Sequence, residues 1–132
     1  MPTQSKSAPK RILVADDNSL MRKLLQASLT AYGYEVTTVN NGLEALTVLR
    51  KDGADLVILD LQMPDLDGLG VLHEIRGDHE LDTIPTVAIT AYSLPGGRQQ
   101  AIDAGFDGYL TKPIPRADLL REVGHWLPTK SC

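Results

Sequence analysis

The sequence predicts an α/β protein in which five parallel strands alternate with five helices in one domain. Short apolar runs without polar alternation, such as Ile12-Leu13-Val14-Ala15 and Leu56-Val57-Ile58-Leu59, suit strands covered on both faces. Helically spaced stretches separate these runs. Strand-helix-strand units imply parallel strands, right-handed crossovers and helices on both sheet faces. The 132 residues make one ordinary domain that needs no covalent staple.

The elements follow in chain order. Residues 1–9 are polar and proline-bearing, and are expected to form a mobile tail before a domain spanning 10–127. The first run, Ile12 to Ala15, is a strand. Asn18 is placed to cap a helix carrying Leu20, Leu24, Leu25 and Leu29 on its core face. Val36-Thr37-Thr38-Val39 is β-branched and half polar, which suits an edge strand. Asn41 followed by Glu44 resembles a capping box for a helix carrying Leu46 and Leu49 and stopping at Gly53. Leu56 to Leu59 is the third strand, and Leu69, Leu72 and Ile75 mark the third helix. Val87-Ala88-Ile89 is the fourth strand. The fourth helix begins near Ser93, includes Ala101 and Ile102, and stops at Gly105. Gly108-Tyr109-Leu110-Thr111 is the fifth strand, and the last helix runs from Pro115 through Leu119, Leu120 and Val123. Residues 128–132 form a short tail, so no output domain is expected within this chain.

Composition excludes several function classes. Apolar residues make up 42% and charged residues 23%, which is unlike a disordered chain. No apolar run approaches the roughly 18 residues of a membrane span, and the first ten residues lack the hydrophobic stretch of a secretory signal. The net charge of −4, with no basic block, argues against direct nucleic-acid binding. The single cysteine, Cys132, forms no internal disulfide, and a cytoplasmic location is expected.

In an open α/β sheet, ligands bind beyond the carboxyl ends of the strands. Asp16-Asp17 follows the first run, Asp60 the third, Thr90 the fourth and Lys112-Pro113 the fifth. Four of five strands thus deliver a carboxylate, a hydroxyl or an ammonium to one rim. Each residue alone has a plain explanation: a helix N-terminus, a loop cap, a turn hydroxyl, a loop dipeptide. Together they make a site. Three clustered carboxylates need compensating charge, of which Lys112 supplies one. Oxygen-only ligands favour Mg²⁺ over zinc. Such a rim also suits a phosphoryl group, its oxygens neutralised by metal and Lys112 and bonded by Thr90. The nucleophile would be an aspartate forming an acyl phosphate, and Asp60 ends the expected central strand.

Val14-Ala15-Asp16-Asp17-Asn18, Leu59-Asp60-Leu61-Gln62-Met63-Pro64-Asp65-Leu66-Asp67-Gly68, Ile89-Thr90-Ala91 and Thr111-Lys112-Pro113 closely resemble the receiver domain of two-component response regulators, over about residues 10–127. The resemblance implies a flavodoxin-like sheet with strand order 2-1-3-4-5. It implies that Asp60 is the phosphoacceptor and that Asp16, Asp17, Asp60 and the Gln62 carbonyl hold Mg²⁺. Lys112 would pair with the phosphoryl group, Thr90 and Tyr109 would be the switch pair, and Pro113 would follow a cis peptide. Leu61, Ala91 and Tyr92 would neighbour the phosphoryl group. The implied donor is a sensor histidine kinase or a histidine phosphotransfer protein. The implied output is a changed protein-binding surface on the fourth helix, fifth strand and fifth helix, in a monomer or weak dimer. The Gln62-Met63-Pro64 run looks most like receivers of hybrid kinases and stand-alone phosphorelay regulators. The chemistry would be the domain's own phosphorylation and dephosphorylation, not turnover of a separate substrate.

Two other classes fit less well. A dehalogenase-type phosphatase also uses an aspartate nucleophile and Mg²⁺, but needs a second acid two residues on, where Gln62 stands. A dinucleotide or flavin module needs a glycine-rich first turn, and Asp16-Asp17-Asn18-Ser19 is acidic and glycine-free.

Overall fold

A computed structural model describes residues 9–63, 66–91 and 96–127. The elements run β1 (Arg11–Ala15), α1 (Ser19–Ala31), β2 (Glu35–Val39), α2 (Gly42–Asp52), β3 (Leu56–Asp60), α3 (Gly68–Arg76), β4 (Thr86–Thr90), α4 (Gly97–Ala104), β5 (Gly108–Thr111) and α5 (Arg116–Trp126). All strand pairs are parallel, in the order β2-β1-β3-β4-β5. The order reverses between β1 and β3, which opens a crevice where their carboxyl ends part.

Alternate strand residues feed two cores. Ile12, Val14, Ile58, Val87 and Ile89 pack with Leu25 and Leu29 of α1 and Leu119 and Val123 of α5. Leu13, Ala15, Val57, Leu59 and Ala88 face the other way, onto Leu46, Leu49, Val71, Leu72 and Ile75 of α2 and α3. β3 and β4 are buried along their whole length, as their unbroken apolar runs require. β2 pairs on one side only and exposes Glu35 and Thr37.

The caps follow the polar residues. Asn18 accepts from the Met21 N–H at 3.0 Å, and Asn41 from the Glu44 N–H at 2.8 Å. The reciprocal bond of Glu44 goes to the Asn40 N–H at 3.3 Å, one residue before the expected partner. Pro115 is the N-cap of α5 instead of lying in its first turn.

Three helix faces differ from expectation. Leu20 and Leu24 are 64% and 53% exposed, while Leu25 and Leu29 are buried. The core face of α1 follows the 21-25-29 row, with Met21 packed against it, and Leu20 and Leu24 lie about 100° around the helix. Leu69 is likewise exposed beside buried Val71 and Leu72, and Ile102 beside buried Ala101. The expected start of the fourth helix at Ser93, residues 1–8 of the first tail and residues 128–132 lie outside the described residues.

Candidate functional site

Parallel register brings the acidic strand ends together. Ala15 pairs with Leu59, so Asp16 and Asp60 leave neighbouring strands side by side. Thr90 pairs with Thr111, and the Lys112 N–H donates to the Thr90 carbonyl at 2.7 Å. The rim is set close to the sheet at Gly68, where an added Cβ would lie 2.6 Å from the Asp60 carbonyl oxygen. A side chain there would push the start of α3 away from the end of β3.

Asp16, Asp17 and Asp60 offer carboxylate oxygens that all lie within 4.8 Å of one another. Asp16 is fully buried, Asp60 is 3% exposed, and Asp17 faces solvent. Lys112 Nζ reaches across the cleft, 2.9 Å from Asp16 Oδ2 and 3.2 Å from Asp60 Oδ2. The other oxygen of each buried acid is fixed by backbone. Asp16 Oδ1 accepts from the Asn18 N–H at 2.9 Å, and Asp60 Oδ1 from the Gln62 N–H at 3.0 Å. Two carboxylates are therefore aimed inward by amides belonging to the turns that follow them.

The electrostatics are uncompensated. One ammonium faces three carboxylates. Burial pushes the Asp60 carboxyl up to about 6, and the Asp16 charge adds to the rise, against the lowering by the Gln62 N–H and Lys112. Burial works against the Lys112 ammonium, but its contacts with Asp16 and Asp60 outweigh it and hold the group above its ordinary value. Asp16 Oδ2 is buried and, its ion pair with Lys112 apart, has no hydrogen-bond donor among the described residues. Oxygen donors, excess negative charge and an under-satisfied buried oxygen fit a small hard cation such as Mg²⁺.

Thr90 is buried at 3% exposure, and Ala91 beyond it is exposed. Tyr109 on β5 is half-buried against the α2–α3 core. Thr90 and Tyr109 line one mostly apolar groove of about 370 Å³, together with Leu61, Gln62, Leu69 and the inner side of α4. The Lys112–Pro113 peptide is cis. Tyr92 lies outside the described residues. The sequence reading missed Arg22, whose guanidinium donates to the Asp16 carbonyl at 2.7 Å and ties the acidic turn to α1. No motif marks it, because the contact depends on where α1 leaves the turn.

Fold and cleft define a class: a flavodoxin-like domain with an acidic, oxygen-only site at the carboxyl ends of its parallel strands. The response regulator receiver domain family model matches residues 12–124. The polar-differentiation response regulator DivK of Brucella anthropi is 38% identical over 119 residues, covering 90% of this chain and 97% of that protein. The receiver domain of a sensor histidine kinase from Pseudomonas aeruginosa, solved with a magnesium ion coordinated in its active-site cleft, superposes with a TM-score of 0.84. It is 34% identical and is matched over 92% of this chain and 100% of that one. The chemotaxis response regulator CheY4 of Vibrio cholerae gives a TM-score of 0.83 at 28% identity, over 89% of this chain and 98% of that one.

The chain belongs to the response-regulator receiver family. Receiver domains are signalling modules that take phosphoryl groups from histidine kinases and bind Mg²⁺ at an acidic pocket. No helix among the described residues is long and apolar enough to cross a membrane.

Proposed function

We propose that this chain is a phosphoacceptor in a two-component pathway or phosphorelay, with Asp60 as the nucleophile. The observation that carries the reading is the convergence of Asp16, Asp17, Asp60 and Lys112 in one cleft, with both buried acids oriented by backbone amides. The donor is a phosphohistidine on a sensor kinase or phosphotransfer protein. An Asp60 oxygen attacks phosphorus, the P–N bond breaks, and its electron pair leaves with the donor imidazole.

The residues divide the work. Asp16, Asp17, Asp60 and the Gln62 carbonyl would hold Mg²⁺, which when bound supplies positive charge to the phosphoryl oxygens. Lys112 is positioned by its two ion pairs to take a phosphoryl oxygen as its contact with Asp60 is replaced. Leu61 and Ala91 flank the group, and Ala91 leaves it room. Thr90 turns its hydroxyl toward the new acceptor, and Tyr109 moves into the groove they share. The coupled movement biases a two-state equilibrium, which a protein partner reads on the α4–β5–α5 face. The working molecule is a cytoplasmic monomer or weak dimer that binds no nucleic acid directly and does not insert into a membrane.

Transfer from a purified, phosphorylated donor kinase tests this reading. The native chain should gain one phosphoryl group that is labile to both acid and base and is released by hydroxylamine, and Asp60→Asn should gain none while remaining folded. Equal labelling of both proteins would place the acceptor elsewhere.

A further inference from the structure

We propose that Arg76 is a positioning residue of the switch. It pins the carboxyl end of α4, so that phosphorylation moves only the site-facing end of that helix, as a lever about Gly105. The inference rests on the phosphoacceptor reading above and adds to it where the moving part is hinged.

The two ends of α4 are held very differently. At the far end, Gly105 has φ +117°, its N–H donates to the Ile102 carbonyl at 3.0 Å, and the Phe106 N–H donates to the Ala101 carbonyl at 3.0 Å. This paired arrangement closes a helix C-terminus firmly, and buried Phe106 and Ala101 share one core cluster beneath it. Arg76, the last residue of α3, then fastens that end. Its Nε and one terminal nitrogen donate to the Gly105 carbonyl at 3.3 and 2.9 Å. The same terminal nitrogen meets Asp107 Oδ2 at 2.8 Å, and the other donates to the Asp82 and Ile84 carbonyls at 3.2 and 3.0 Å. Asp107 Oδ2 also accepts from the Thr86 N–H at 2.8 Å, tying the knot to the start of β4. One guanidinium thus joins the end of α3, the α3–β4 connection, β4 and the α4–β5 turn. Only a planar five-donor fork does this; an ammonium does not.

Among the described residues, the other end is tied to its surroundings only by one long bond, from the exposed Arg98 guanidinium to the Tyr109 carbonyl at 3.4 Å. α4 opens at Gly96, with φ +75° and no side chain to cap the first amides, followed by Gly97. No acidic residue lies in the first turn, and Ala101 is the one buried residue of the helix. Gly96 at the N-cap and Gly97 at the first helical position leave this backbone more conformational freedom than any other residue type would. The groove that contains Thr90 and Tyr109 runs along α4 from Gly97 to Ala104, so there is space beside the helix, and the restraints decide which end uses it. Over eight residues the helix is about 12 Å long. A shift at Gly97 therefore fades toward Gly105.

Peptide-resolved hydrogen exchange on the whole chain tests this, with and without acetyl phosphate and Mg²⁺ and with intact mass followed in parallel. In the unmodified protein, amides 104–107 should exchange at least about tenfold more slowly than amides 98–100. Phosphorylation should change the rates at 98–101 several-fold and leave 104–107 within about twofold. In Arg76→Lys, the phosphorylation-dependent change should spread along 98–107 while the β1 and β3 amides stay as in the native protein. Equal protection at both ends, or an equal change at both ends of the native helix, overturns the lever even though the protein is phosphorylated. No gain of a phosphoryl group overturns the phosphoacceptor reading and the lever with it.

Discussion

Asp60 is the residue at which structure and chemistry are most tightly bound together. Its carboxyl is pushed up to about 6 from an ordinary 3.8 because it is buried beside Asp16. The folded state therefore holds a proton that the unfolded chain has lost over that interval. It follows that metal-free stability falls as pH rises from about 4 to about 6, and the full cost persists above 6. This is the reverse of an ion-paired surface carboxylate. Asp60→Asn should stabilise the metal-free protein at pH 7 by about 1–3 kcal/mol and flatten its stability between pH 4 and 6. Urea unfolding at a series of pH values measures both, and an Asn variant less stable than the native protein at pH 7 would contradict the assigned burial cost. Lys112 acts in the opposite sense. Its contribution is present below its ordinary 10.5 and lost only as pH rises through its higher folded value. Removing it by Lys112→Ala leaves two buried acids facing each other, so the variant should be less stable at pH 7 and regain stability on acidification.

At the scale of elements, α1 shows what a leucine pattern can and cannot specify. Leu20 and Leu24 form one i, i+4 pair, and Leu25 and Leu29 form another, a step of 100° away. Either pair satisfies helical periodicity. Which one faces the sheet is decided by how the chain leaves β1, where the Asp16-Asp17 turn is fixed by the Asn18 amide and Arg22. That information is tertiary. The same holds for Leu69, whose exposure follows from Gly68 sitting against the end of β3. The strands, by contrast, were legible because an unbroken apolar run has no second way to be buried, and the caps because Asn18 and Asn41 act locally. Leu25→Ala should cost about 2–5 kcal/mol, whereas Leu20→Ala should change stability by less than about 0.5 kcal/mol. Thermal or urea unfolding of the two variants checks the orientation of α1, and equal costs would contradict it.

Across the whole molecule, the fold serves to assemble charges that no single segment carries. Asp16, Asp60 and Lys112 are up to 96 positions apart in sequence and meet because parallel strands align their carboxyl ends. Most of the site was therefore visible as a repeated position, the residue after each apolar run. The backbone amides that aim the acids and the Arg22 and Arg76 anchors were not, since main-chain donors leave no signature and long arginines reach across elements. Mg²⁺ should relieve the carboxylate repulsion. At ten times its dissociation constant it should add about 1.4 kcal/mol, or about 3–6 °C in melting temperature. Asp17→Ala should show a much smaller shift, and identical shifts in both proteins would remove Asp17 from the metal site.

The cleft is proposed to make an acyl phosphate on one carboxylate. Its most direct test is borohydride trapping after incubation with acetyl phosphate, which reduces an aspartyl phosphate to homoserine at the residue that carried it. With Mg²⁺ present, homoserine should be found by peptide sequencing at position 60 alone, and chelation of the metal should suppress it. Homoserine at another acid, or an equal yield at position 60 without Mg²⁺, would contradict the account.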